Sequence, residues 1–395
     1  MKKILYVYSN CSPQKYKSLV ESSGIMILQQ AQKYHQLMME GLAGNGCDVQ
    51  VISSLPVNRE LTKKLFFKVE NDEYKNIKYR YLSFINLPLL RNICIFINSF
   101  FTALKKKGHI CICDILNISV SAGALLASRI IGNRTIGIVT DVPGMFSDGK
   151  NEEVPLTQKI NRWILGKFDA YLFLTEQMNT LINREKHRPY IVIEGHADMS
   201  MSGSVNSLCN KYEKSVCIYS GSLKKIYGIK LLVQAFLEAN IPNTELHIYG
   251  DGDYAEELKE ISRNNQCIKY FGVKPNSHIV AEQLKAALLI NPRPTNEEYT
   301  RYSFPSKNME YMASGTPTLT TKLPGMPEEY NEYVYLIEEE TAKGLSLALR
   351  SILSKPEEEL HEKGMRAKEF VLHEKNNLIQ SKKVLDMIIN LGWNR

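Results

Sequence analysis

The sequence predicts an α/β protein of two doubly wound domains that face a cleft. Short β-branched or aromatic runs alternate along the chain with longer stretches of helical period, as parallel strands joined by crossover helices require. The 395 residues exceed the roughly 250–300 at which one core stops growing. Glycine or proline turns recur at strand ends in the second half, the edge of such sheets at which ligands bind.

In the first half the predicted strands are KILYVYS, DVQVISS, IKYRYLSF, HICICDIL, TIGIVT, DAYLFLT and YIVIE. The run SNCSPQKYKSLVESSG after the first strand is expected to be a loop. In the second half the strands are SVCIYS, ELHIYG, CIKYFG, ALLIN, PTLTT and YVYLI. The small, polar, aperiodic run between the two sets marks the boundary. Residues 1–198 are thus expected as the first domain, 199–214 as a linker and 215–374 as the second domain. Residues 375–395 are strongly amphipathic and make a terminal helix placed to pack back on the first domain.

Composition narrows the function classes. Hydrophobic residues at 44% and charged residues at 23% are those of a soluble globular protein. A net charge of +7, spread along the chain, suits an anionic ligand or membrane surface and falls short of a nucleic-acid signature. The eight cysteines lack metal-ligand spacing and read as buried reduced thiols. The amino-terminal apolar run is too short for a signal peptide, so a cytoplasmic location is expected. No window spans a bilayer. The nearest approach, residues 85–108, is an apolar run that ends in Lys105, Lys106 and Lys107. It is either a helix lying in an anionic membrane interface, which would make the protein peripheral on the inner face of the plasma membrane, or a buried helix with a solvated basic end. No strand leads into G-x-G-x-x-G, which counts against nicotinamide or flavin chemistry.

Four strand ends in the second half carry the chemistry. In IYSGSLKKIYG, Gly221 and Ser222 form a turn before a helix, with Lys224 and Lys225 beside it; such a helix start suits an anion. Gly250 ends the next strand and Gly272, with Val273, the one after. The fourth is NPRPTNEEYTRYSFPSKNMEYMASGTPTL. Pro305 suits a helix start, where its missing N–H costs nothing. The N–H groups near Ser306, Lys307 and Asn308 then point out of the helix, and the Lys307 ammonium reinforces an anion site. Glu310 lies on the same face three residues on. Its carboxylate suits the paired hydroxyls of a ribose, although an ordinary lysine–glutamate helix pair has the same spacing.

This second half resembles the donor domain of the family 4, group 1 glycosyltransferases of GT-B fold, which have two Rossmann-like domains. FPSKNMEYMASGTPTLTT is similar to the F-P-S-K-x-x-E-Y-x-A-x-G-x-P signature of the branch that assembles capsule or exopolysaccharide units. The resemblance implies that Ser306, Lys307 and Asn308 hold the donor diphosphate and Glu310 the ribose. It implies that backbone groups of Gly272 and Val273 hold the base, and that Gly221 and Ser222 lie near the phosphates. Where many relatives carry an earlier glutamate this chain has Tyr302, leaving Glu297, Glu298 or Arg293 to stand in. Where relatives carry an arginine and a lysine in the first glycine turn, Ser222 and Tyr227 stand here, and Lys224 or Lys225 supplies the charge. In the first half, Thr140 and Asp141 end a strand where relatives place a polar residue beside the reacting sugar, although GIVTDVPGMF also reads as a plain turn. Glu194, Gly195, His196 and Asp198 resemble the strand-to-linker turn, with His196 structural.

The resemblance implies a hexosyltransferase that moves a sugar with retention from a nucleotide diphosphate sugar, UDP by preference, to a glycan or polyprenol-linked acceptor. Lys307, Glu310 and Asp141 are its catalytic candidates. No D-x-D motif stands in a suitable loop, so neither metal nor cofactor is expected. The rival readings are a nucleotide-sugar epimerase of the same shape and a two-lobed solute-binding protein.

Overall fold

The computed structural model describes residues 1–23, 30–59, 61–142, 156–185 and 187–393. Gly24 of the expected amino-terminal loop, and Pro143 to Phe146 of the GIVTDVPGMF turn, lie outside these residues. Two units emerge, one of Met1–His196 with Asn377–Arg395 and one of Ala197–Asn376.

The strands of the first unit are β1 (Lys3–Tyr8), β2 (Asp48–Ser53), β3 (Phe66–Phe67), β4 (Glu70–Tyr74), β5 (Ile77–Tyr81), β6 (Phe84–Ile85), β7 (Ile110–Asp114), β8 (Thr135–Val139), β9 (Ala170–Phe173) and β10 (Tyr190–Val192). Eight of them form one sheet in the order β10-β9-β8-β7-β1-β2-β5-β4, while β3 pairs with β6. Every pair in the large sheet is parallel except β4 with β5. β1, β7 and β8 are almost wholly buried, as sheets covered on both faces require. β4, ENDEY, is not among the strands expected from sequence because it lacks apolar alternation. It is a charged edge strand, joined to β5 by Lys75 and Asn76 at φ 49° and 62°, a two-residue hairpin turn made without glycine.

The helices of this unit are α1 (Pro13–Ser23), α2 (Gln30–Gly44), α3 (Leu90–Leu104), α4 (Ile118–Ile130), α5 (Leu156–Leu165) and α6 (Glu176–Ile182). The expected loop after β1 is therefore corrected to α1. Pro13 is pre-set for a first helical position, and the Ser12 hydroxyl accepts the Lys15 N–H at 3.1 Å, so two local signals start a helix there. Residues 377–390 form a last helix, which packs on α2. Asn45 donates to the Leu378 carbonyl at 2.9 Å, and a Cβ on Gly41 would stand 2.0 Å from the Asn377 carbonyl oxygen. Gln380 donates to the Glu194 carboxylate at 3.2 Å and to the Gly195 carbonyl at 3.0 Å. His196 is buried against the Tyr34 ring. Burial lowers its pKa to about 3 and keeps the ring neutral.

Helix α3 corrects one side of a sequence choice. Its inward face carries Ile95, Ser99 and Ala103, against α4. The Ser99 hydroxyl donates to the Val120 carbonyl at 2.6 Å, and Gly123 lets the backbones close up, a Cβ there meeting the Phe96 carbonyl at 2.4 Å. Leu90, Ile93, Ile97 and Phe101 are exposed, so α3 is not a buried helix with only its end in solvent. Among the described residues no helix is long and apolar enough to cross a membrane.

The second unit contains β11 (Ser215–Ser220), β12 (Thr244–Tyr249), β13 (Ile268–Gly272), β14 (Leu288–Asn291), β15 (Thr318–Thr321) and β16 (Tyr335–Ile337). They make one sheet in the order β13-β12-β11-β14-β15-β16, parallel throughout. The order reverses between β11 and β14, and ligands of such sheets bind where it reverses, beyond the carboxyl ends of the strands. Helices α7 (Ile229–Ala239), α8 (Ala255–Asn264), α9 (Asn276–Lys285), α10 (Ser306–Ser314), α11 (Ala342–Leu353) and α12 (Glu357–Glu374) follow in chain order, and the last helix above is α13 (Asn377–Asn390). Residues 199–214, expected as a linker, pack into this unit. Asn206 donates to the Ser314 carbonyl at 3.0 Å and to Thr316 at 2.9 Å, and Met201 is buried with Met312 and Ala313.

Candidate active site

Helix α10 begins where the sequence places it. Pro305 takes the cap position at φ −75°, ψ 94°, with Ser306 as first helical residue. Its first turn therefore offers N–H groups that have no carbonyl within the helix. The other end closes at Gly315, φ 77°, whose N–H reaches the Met312 carbonyl. That left-handed stop explains the Ser-Gly-Thr-Pro run. The stop also lets α12 approach, since a Cβ on Gly364 would lie 2.3 Å from the Gly315 carbonyl oxygen.

Three strand ends stack in front of this helix start. The Gly221 N–H donates to the Tyr249 carbonyl and the Gly250 N–H to the Gly272 carbonyl, each at 2.9 Å. Gly221 and Gly250 have φ 144° and 136°. A Cβ on Gly250 would lie 1.7 Å from the Gly221 carbonyl oxygen. A Cβ on Gly221 would lie 2.0 Å from Lys307 Cε. Two glycines thus make room, one for backbone and one for the lysine.

Lys307 Nζ donates to the Tyr219 hydroxyl at 2.6 Å and lies 4.3 Å from the centre of that ring. The Tyr219 hydroxyl, buried, donates onward to the Ser222 carbonyl at 2.7 Å. Burial, then the nearby Arg293 charge, lowers the Lys307 pKa to about 7, against a smaller opposing pull from Glu310. Arg293, in the loop just past β14, lies between two aromatic rings, 5.2 Å from Tyr227 and 4.6 Å from Tyr299. The Tyr299 hydroxyl in turn donates to the Ile226 carbonyl at 3.2 Å. Two cations held this close are repulsive until an anion arrives.

The Glu310 carboxylate is oriented from α9. Gln283 Nε2 donates to one oxygen at 3.0 Å and Asn276 Nδ2 to the other at 2.9 Å. Gln283 is fully buried and also reaches the Ser220 hydroxyl at 3.4 Å. The Tyr311 hydroxyl accepts the Ser220 N–H at 2.9 Å, tying α10 to the end of β11. Gln283, Asn276, Tyr219 and Tyr311 were not picked out from sequence. Gln283 had a signal, being a polar residue four positions after Ile279 on the inward face of α9.

Other expected residues fall differently. The Asn308 N–H is already bonded to the Pro305 carbonyl at 2.9 Å. Its buried side chain accepts from Asn291 at 2.8 Å and donates to Thr320 at 3.2 Å. Asn308 is thus corrected from a phosphate ligand to the lock that fixes α10 on the sheet. Lys225 points at Glu257, 3.4 Å away, so it is corrected from a charge in the first glycine turn to a partner of α8, while Lys224 is exposed. Gly272, φ 67°, and the half-exposed Val273 form an open shelf beside Phe271, which stacks on Tyr249 at 4.9 Å. In the first unit Asp141 follows β8, its carboxylate accepting the Val142 N–H at 2.8 Å. Within the second unit the structure thus brings Gly221, Gly250, Arg293, Ser306, Lys307 and Glu310 to one edge of the sheet, and leaves Lys225 outside that group.

Residues 206–370 match the family model of the glycosyl transferases group 1. That span falls within the second unit. No curated protein sequence matches the chain. Among solved structures, the chain is similar to the sucrose-phosphate synthase of Thermosynechococcus elongatus, with TM-score 0.70 and 15% identity over 99% of each chain. It is similar to HepE of Anabaena in complex with UDP, with TM-score 0.65 and 13% identity over 99% of this chain and 100% of the other. A third is the lipopolysaccharide outer core galactosyltransferase WaaB, with TM-score 0.63 and 16% identity over 98% and 99% of the two chains. The chain has the GT-B glycosyltransferase fold, mixed α/β with parallel sheets. The span matched by the family model contains every residue of the group around Lys307.

Proposed function

We propose that the protein transfers a sugar, with retention, from a UDP-sugar to a glycan or polyprenol-linked acceptor in the synthesis of surface polysaccharide. One observation carries the reading: a helix start with a lysine and an arginine in front of it stands one turn from a carboxylate clamped by two amides. Cleavage of the bond to the diphosphate builds negative charge on the leaving oxygens. N–H groups of Ser306 and Lys307, the Lys307 ammonium and the Arg293 guanidinium meet that charge without reorganising. Glu310, its plane fixed by Gln283 and Asn276, accepts from the ribose hydroxyls and sets the donor's register. The shelf at Gly272 and Val273 takes the base through backbone groups.

HepE of Anabaena, similar in fold, binds UDP, which supports the choice of base. Retention and the capsule or exopolysaccharide branch rest on the FPSKNMEY signature, and Asp141 is proposed to serve the acceptor. Metal independence belongs to the same proposal, since the helix start, the Lys307 ammonium and the Arg293 guanidinium would supply the positive charge that a divalent cation supplies elsewhere. Turnover lost to chelator and restored by manganese overturns that part.

The test is a panel of nucleotide sugars with and without glycan acceptor. Transfer to acceptor supports the proposal, epimerised donor replaces it with the rival enzyme reading, and unaltered ligand replaces it with a binding protein. Glu310→Gln weakens UDP binding by about 10- to 100-fold, the cost of one charged hydrogen-bond pair. Wild-type affinity in that variant removes Glu310 from the site.

A further inference from the structure

The proposed transfer gives no role to the outer face of α3. In a helix that ends at the protein surface, the apolar stripe is expected to face the core. Here it faces out. Leu90, Ile93, Ile97 and Phe101 recur at helical spacing on one side and are 45%, 45%, 45% and 59% exposed, while the inward side carries Ile95, Ser99 and Ala103. The stripe continues beyond the helix start. Leu89, 72% exposed, holds a left-handed backbone at φ 64°, a conformation unfavourable for a leucine, and its side chain gains nothing from burial in return. Phe66, 64% exposed, sits on β3, whose partner β6 leads into α3. The Asn86 N–H donates to the Leu65 carbonyl at 2.7 Å, so residues 65–66 lie beside the helix entry.

Within the segments that carry this stripe, the charges have one sign. Segments 61–69 and 85–108 contain no aspartate or glutamate. Lys63, Lys64 and Lys68 at one end and Lys105 and Lys107 at the other are exposed. We propose that this face of the first unit seats on a bilayer rich in anionic phospholipid, with the α3 stripe in the acyl boundary and the lysines among the headgroups. A row of large apolar side chains flanked by lysines is what an interfacial helix presents, and each lysine near an anionic surface adds attraction. A second copy of the chain is the poorer occupant. A two-fold contact through this face would set five exposed lysines of each copy against a surface of the same sign. The inference does not rest on the transferase reading, since it concerns residues outside the Lys307 group.

Flotation of the full-length protein with vesicles tests it. Recovery with vesicles containing phosphatidylglycerol, much less with phosphatidylcholine alone, and loss at high salt are expected. Ile97→Glu with Phe101→Glu abolishes flotation, and Lys105→Glu with Lys107→Glu lowers vesicle affinity at least ~10-fold. All four sites are exposed, so thermal melting of the variants stays at the wild-type value and UDP binding is unchanged. Absence of flotation with anionic vesicles overturns the proposal. So does a concentration-dependent dimer that the Ile97 and Phe101 substitutions dissociate without vesicle binding by the monomer.

Discussion

Lys307 carries the prediction that reaches furthest into the chemistry. Burial and the Arg293 guanidinium bring its pKa to about 7, so in the free protein it loses its proton as pH rises through that value. A diphosphate in front of it favours the ammonium and returns the pKa toward the lysine range. Above about pH 7, binding must therefore take up a proton. UDP affinity is full below that pH and falls about tenfold per unit above it; between about pH 7 and 8.5 linkage gives a loss of roughly 15-fold. Isothermal titration calorimetry in two buffers of different ionisation enthalpy reads the slope and the proton together. Lys307→Met binds more weakly and loses the slope. A pH-independent affinity in the wild type, or an undiminished slope in the variant, refutes the reasoning. The same shift acts on stability. Between pH 7 and the ordinary lysine value of 10.5 the unfolded chain holds more protons here than the folded one, so the lysine destabilises fully below pH 7 and ever less above it. Lys307→Met raises the urea midpoint most at pH 7 and below, and the gain fades toward 10.5.

The glycines before α10 separate by consequence. Gly250→Ala sets a Cβ 1.7 Å from a backbone oxygen and costs about 2–4 kcal/mol in urea unfolding; unchanged stability means the turn is built otherwise. Gly221→Ala meets first the flexible end of Lys307. It displaces the ammonium and flattens the pH dependence of UDP binding, with the smaller stability cost of its φ alone; a retained slope disproves the shared seat. Arg293→Ala lowers UDP affinity by on the order of tenfold, whereas Lys225→Ala, whose ammonium serves Glu257, leaves it within about twofold. Equal losses in the two variants mean that the phosphates lie nearer the first glycine turn.

Much of this architecture was legible in the sequence, and for physical reasons. Buried parallel strands are short β-branched runs because both faces are covered, and all the strands expected from sequence are present. Helix α10 announced itself at both ends through Pro305 and Gly315. Sequence failed where a local signal was outweighed or absent. ENDEY forms a strand only because β5 lies beside it. Pro13 and Ser12 start a helix within a run whose polarity resembled a loop. The outward stripe of α3 could not be told from an inward one, since periodicity fixes that one face is apolar and not which way it points.

The candidate site shows the same limit at finer scale. The Lys307–Glu310 spacing is that of any helical ion pair, yet neither side chain has the other as its main partner. Lys307 goes to Tyr219, 88 residues away, and Glu310 to Gln283 and Asn276 on α9. A surface pair would neutralise itself and leave nothing for a ligand. Here each charge is held by uncharged donors and acceptors, which fix its position without cancelling it. Arg293 then raises the positive potential further, at a cost to the free protein that an anion offsets on arrival. That separation of the two charges by neutral partners distinguishes a binding site from a helix-stabilising pair, and only the chain's long-range packing reveals it.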